Sequence, residues 1–171
     1  MRIFSIILLA ACAAFSFSAR AFAQQPPPAV PDKLPFNIPY GVPISLDMAK
    51  QAAEAALAEA KKRGWPEAIA VVGPSGDLTY FLKMDDTQLA SVTISQNKAR
   101  TAARFRRETQ VFFDAFESGH PYVGTLDPAL VASIGGIPLI ANGKLIGAIG
   151  CSGGTGAQDG IVCKAGAAVV K

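Results

Sequence analysis

Apolar and polar positions recur along this chain with two different periods, and the switches between them mark its elements. Leu46, Ala49, Ala53, Ala56, Leu57 and Ala60 return at helical spacing. Ser45 ahead of them is a suitable N-cap, and Asp47 suits the positive end of the helix dipole. Gly64, with Pro66 just beyond, closes the helix. The period then changes. Ala68 to Val72 is a continuous apolar run, Gly73-Pro74-Ser75-Gly76 is a turn, and Leu78 to Met84 has the aromatic and β-branched content of a strand, so the three make a hairpin. Tyr80 and Met84 share a face of that strand and are expected in the core.

Asp86 or Thr87 is placed to cap a second helix, with Leu89, Val92, Gln96, Ala99 and Ala103 on one side. The other side carries Lys98, Arg100, Arg104, Arg106 and Arg107 and reads as a solvated, charged flank. A shorter helix spans Thr109 to Glu117, and a loop through Gly119, His120, Pro121 and Gly124 leads to an apolar run, Leu130 to Ile134. Asn142-Gly143 then sits between two apolar arms, Ile137 to Ala141 and Lys144 to Gly150. An Asn-Gly pair supplies the two positive φ angles of a type I′ turn, which makes this a second hairpin. Its last arm runs into Gly147, Gly150, Gly153, Gly154 and Gly156, a density that implies backbone packed close against another element or a ligand. A small-residue helix from about Ala157 ends the chain. Strands joined by tight turns, with helices between the hairpins, predict an α+β domain built on an antiparallel sheet.

The first residues read as an address. Arg2 precedes an uncharged apolar run, Ile3 to Phe17, and Ala21-Phe22-Ala23 has the small-x-small pattern of a cleavage site, so residues 1–23 are expected to be a signal peptide cut after Ala23. The run falls short of the ~20 residues a membrane span needs. A second possibility is that Leu9-Ala10-Ala11-Cys12 is a lipoprotein box with Cys12 acylated. The continuation of the apolar run through Phe17 favours soluble export to a periplasm or beyond. Gln24 to Pro43 follows with seven prolines in twenty residues, a tether of extended, unpaired backbone that wraps the surface or meets a neighbouring subunit. The domain proper is expected to begin at Ile44 and run to Lys171.

Charge narrows the partners. The formal net charge of +3 falls to about +1 once Arg2 and Arg20 leave with the leader, which gives no argument for nucleic acid. Cys151 and Cys163 remain. In an oxidising compartment they can pair; otherwise they are small buried hydrophobes, and their spacing fits no zinc or C-x-x-C pattern.

His120 is the chain's single histidine, with no obvious Ser or Cys nucleophile in a G-x-S-x-G context to serve, which argues against a hydrolytic triad. An imidazole in a Gly/Pro loop can ligate a heme iron, or can be a loop residue and nothing more. Arg104, Arg106 and Arg107 can pair with carboxylates such as heme propionates, or be solvated. Gly154-Thr155-Gly156 is followed by Asp159 where a third glycine should fall, and no second parallel strand follows, which opposes a dinucleotide site; the loop is expected to shape an oligomer contact or the rim of a pocket. Gln158 and Asp159 read as the start of the last helix, where an acid is favourable.

Four segments together have a familiar form: ISLDMAKQAAEAALAEAKKRG, AVVGPSGDLTYFLKMDD, SQNKARTAARF and GGIPLIANGKLIGAIGCSGGTGAQD. They cover nearly all of Ile44 to Lys171, and in this combination the chain resembles the GlcG/HbpS family of small heme-associated proteins, also found fused to certain corrinoid adenosyltransferases. The resemblance implies a profilin-like fold, a homo-oligomer, and heme as cofactor, with weak heme degradation conceivable. It also implies that a threonine between the second and third helices ligates the iron. Thr109 holds the matching position, after Phe105-Arg106-Arg107-Glu108 where many members have Arg-Pro. The same threonine can instead cap the helix that begins there. The expected function is an exported heme- or tetrapyrrole-binding accessory protein without strong catalytic machinery. The alternative is a ligand-free scaffold or partner of a periplasmic oxidoreductase or sensor.

Overall fold

The computed structural model describes residues 32–34 and 36–171. The expected leader, Cys12 and the tether as far as Pro31 lie outside the described residues, as does Pro35. α1 spans Leu46–Arg63. Ser45 caps it by accepting the Met48 N–H at 3.3 Å, and Gly64 ends it in the left-handed conformation at φ 68°. β1 (Ala68–Val72) and β2 (Leu78–Lys83) form the first hairpin. α2 (Ser91–Phe105) and the short α3 (Gln110–Glu117) follow, then a 3-10 turn at Pro121–Thr125. β3 (Gly136–Ala141) and β4 (Lys144–Ser152) flank the Asn142-Gly143 turn, where φ is 50° and 71°, and α4 (Gly156–Ala167) closes the fold. The α+β expectation is borne out.

The sheet has the order β2-β1-β4-β3, antiparallel throughout. Side-chain alternation divides its two faces. Ile69, Val71, Leu139, Ile149 and Cys151 point to one side, where the alanine face of α1 and Val162 and Cys163 of α4 cover them. Ala70, Val72 and Ala148 point to the other, against Ala99, Ala102 and Ala103 of α2. That second interface is lined by small residues, so helix and sheet lie unusually close. Gly136 and Gly150 pair side by side across β3 and β4; a Cβ on Gly136 would collide with Lys98 O, and one on Gly150 with Ser95 O. Gly136 and Gly150 thus mark where α2 lies on the sheet, whereas Gly147 and Gly153 admit the backbone of Val72 and Pro66. Cys151 and Cys163 are disulfide-bonded, tying β4 to α4.

Several expectations change. Leu89 lies outside α2 and is 86% exposed, because the helix begins at Ser91. Neither Asp86 nor Thr87 caps α2; Thr87 Oγ1 donates back to Met84 O at 2.8 Å. Tyr80 and Met84 do pack against the core, half-buried. The end of the tether is not unpaired. Leu145 donates to Pro39 O at 2.9 Å, while Gly41 and Ile44 donate to Leu145 O and Ile146 O at 2.7 Å. Beyond Val72, where β1 stops, β4 still offers free backbone groups, and this segment takes them up.

Candidate functional site

The end of α2 gathers the three candidate arginines. Arg106 adopts the left-handed conformation (φ 55°, ψ 37°), and this turns the chain out of the helix. Its guanidinium stands 5.3 Å from the centre of the Tyr40 ring and donates to Ile38 O at 3.1 Å. Arg107 lies 3.2 Å over Phe36, with Phe105 and Phe112 further out. Burial, and then the charge of Arg106, hold its guanidinium below the usual value. Arg104 is half-exposed and ion-paired with Asp127 at 2.8 Å. With Tyr40, Pro74 and Ser75 it lines an open groove of about 340 Å³. The arginines therefore do meet, but Arg106 and Arg107 are committed to aromatic rings, and Arg104 is the one that faces a groove.

Thr109 sits at the start of α3 yet makes no capping bond. It is fully buried, and its hydroxyl accepts the Gly136 N–H at 2.9 Å while its own N–H donates to Gly136 O at 3.0 Å. The capping role expected for it is therefore replaced by a clamp onto the start of β3. To reach an iron, the hydroxyl would have to leave both that bond and the interior.

His120 lies at the other end of α3 and is exposed, its Nδ1 3.2 Å from Ser118 Oγ. The Ser118 hydroxyl has one proton, and it donates that to Ala115 O at 3.1 Å. With its proton so placed it can only accept from His120, a pairing that the Nδ1-protonated tautomer satisfies. In that tautomer Nε2 keeps a free lone pair, the arrangement a metal-bound imidazole adopts. The Tyr122 ring, 61% exposed, meets His120 edge-on at 6.2 Å, and the same stretch of chain exposes two further apolar side chains, Phe116 at 47% and Leu126 at 53%. Asp127, the partner of Arg104, directly follows Leu126.

One cluster escaped the sequence reading. Lys98, placed there on the charged flank, is 1% exposed and binds Asp159 Oδ2 at 2.5 Å. Asp159 does more than start a helix: its Oδ1 accepts from Gly153 N at 3.2 Å and Gly154 N at 3.0 Å. Thr155 and Gln158 form the capping box of α4 in its place. Glu67 is fully buried beside them. Burial, then the charge of Asp159 and a hydrogen bond to it, push its carboxyl up to about 8 against the pull of Lys98. The signal for Lys98 was its place between Ser95 and Ala102, at helical spacing on the same face as Ser91. Among the described residues there is no group of three or more His, Cys, Asp or Glu that could hold a metal ion. No helix among them is long and apolar enough to cross a membrane.

A small antiparallel sheet between α2 and the α1–α4 pair, with glycine-lined helix contacts, defines the class of domain. The chain belongs to the family described as "Haem degrading protein HbpS-like", whose model matches residues 44–168. It is similar to protein GlcG of Escherichia coli K12, with 43% identity over 109 residues, covering 61% of this chain and 81% of that protein. The crystal structure of HbpS superposes with a TM-score of 0.71 at 29% identity, over 77% of this chain and 92% of that one. A PduOC–heme complex superposes at 0.69 and 28% identity, over 74% and 94%. The family expectation is thus confirmed, and one solved relative holds heme.

Proposed function

We propose that this chain is an exported heme- or tetrapyrrole-binding accessory protein that works as a homo-oligomer, with His120 as the iron ligand. The observation that carries this is the exposed imidazole of His120, which stands edge-on to the exposed Tyr122 ring at 6.2 Å and whose Nδ1 lies 3.2 Å from Ser118 Oγ, so that Nε2 faces no protein partner among the described residues. A porphyrin supplies a Lewis-acidic iron and a large apolar face. Phe116, Tyr122 and Leu126 offer surface for that face, and Arg104, beside Asp127, offers a cation for a propionate. Kinship with a domain solved in complex with heme supports the ligand class. The Cys151–Cys163 disulfide supports an oxidising compartment, and the open edges of β2 and β3 support assembly.

The test is a hemin titration of the purified chain, followed by Soret absorbance and by size-exclusion with light scattering. Saturation near one heme per subunit or per interface on a defined oligomer is expected. Non-saturating uptake would contradict the reading and favour a protein partner. N-terminal sequencing of the secreted protein should begin at Gln24.

A further inference from the structure

Beneath the glycine loop that follows β4, three ionisable side chains meet where water does not reach. Lys98 comes from α2 on one face of the sheet, and Asp159 from the first turns of α4 on the other. The lysine stem crosses past Gly135, at which even a Cβ would collide with the side chain of Asp159. Nζ lies 2.5 Å from Oδ2, and the two side chains are 1% and 3% exposed. Glu67 joins them from the residue before β1. With both carboxylates ionised, neither Glu67 oxygen has a donor; with a proton, Glu67 donates to Asp159.

These groups occupy the positions an acyl transfer needs. The 2.5 Å Nζ–Oδ2 contact is a direct path for a proton from the ammonium to the carboxylate, and a proton moved along it frees the amine as a nucleophile. Asp159 Cγ is the electrophile. The Gly153 and Gly154 N–H groups both point at Oδ1, at 3.2 and 3.0 Å, as donors of an oxyanion hole do. Oδ2, on the lysine side, is left to depart. Glu67 is the neighbouring acid that can protonate it.

We propose that Lys98 and Asp159 condense to an intramolecular amide with Glu67 as proton shuttle, joining α2 to α4 covalently across the sheet. The Nζ–Cγ bond forms and negative charge collects on Oδ1. Glu67 then gives its proton to the Oδ2 hydroxyl and recovers one from Nζ. The Cγ–Oδ2 bond breaks and one water leaves beside the exposed Gly154. Nothing is oxidised or reduced, and Glu67 ends as it began. The amide removes two buried charges and reinforces the Cys151–Cys163 link between β4 and α4.

Tryptic mapping of the folded, purified protein, denatured and reduced before digestion, tests this. The expected product is one branched peptide joining the Lys98 and Asp159 segments, lighter by one water than the two together, with no cleavage after Lys98. Glu67→Gln, which keeps the shape and removes the acid, should yield the two peptides mostly unlinked. Recovery of separate, full-mass peptides from the native protein would overturn the proposal, as would loss of water at any other residue. A branched peptide in Glu67→Gln at native yield would overturn the role of Glu67.

Discussion

Thr109 and Gly136 exchange two hydrogen bonds, hydroxyl to N–H at 2.9 Å and N–H to carbonyl at 3.0 Å, and so pin the α2–α3 link to the first residue of β3. The pair is buried, and the Gly136 N–H has no solvent to turn to. Thr109→Val keeps the shape but strands that donor, at a cost of about 1–3 kcal/mol. Urea denaturation should show this loss, while hemin stoichiometry stays unchanged.

Gly150 is where α2 rests on the sheet. A methyl group there would meet the Ser95 carbonyl and the Ala99 backbone, neither of which can swing aside as a side-chain end would. Gly150→Ala should destabilise the domain by roughly 1–3 kcal/mol or more, since the helix must lift away from β4. Gly143→Ala, with nothing near its Cβ, tests only the positive φ of the turn and should cost less. Equal losses in the two variants would contradict the packing described for α2.

Glu67 makes stability depend on pH in an uncommon direction. Its carboxyl titrates from an ordinary 4.5 in the open chain and is pushed up to about 8 in the fold. The folded state therefore binds this proton more tightly. The stability the proton contributes is complete below the lower value and is lost as pH rises through the upper one. This holds for chains in which Lys98 and Asp159 are still ionised and unlinked: there Glu67→Gln should gain on the unsubstituted chain across that window by an amount on the order of a few kcal/mol, whatever the starting difference. Denaturation midpoints at several pH values read this directly, and a constant difference would contradict it.

Local chemistry made much of the fold legible. Ser45, Gly64 and Asn142-Gly143 each announce a cap or turn through their own backbone preferences, and the structure uses all of them so. What depended on partners distant in sequence was not legible. Lys98 reads as solvated until Asp159, sixty-one residues on, is known to lie beside it. Thr109 reads as a helix cap until Gly136 arrives with its own backbone donor and acceptor. Helix periodicity put Arg104, Arg106 and Arg107 on one helix flank, but α2 ends at Phe105, and the rings nearest Arg106 and Arg107 belong to the proline-rich segment, which no periodicity links to them. His120 was legible as a candidate; the pairing of its Nδ1 with Ser118 required the fold of the loop.

The most direct test of the binding account is a hemin titration of His120→Ala beside Thr109→Val and the native chain, read at the Soret band. With His120 as the ligand, His120→Ala should bind at least about tenfold more weakly, a loss of ~1.4 kcal/mol or more, while folded Thr109→Val titrates as the native protein does. Native binding by His120→Ala, with loss in Thr109→Val, would contradict the assignment and return the iron to the threonine.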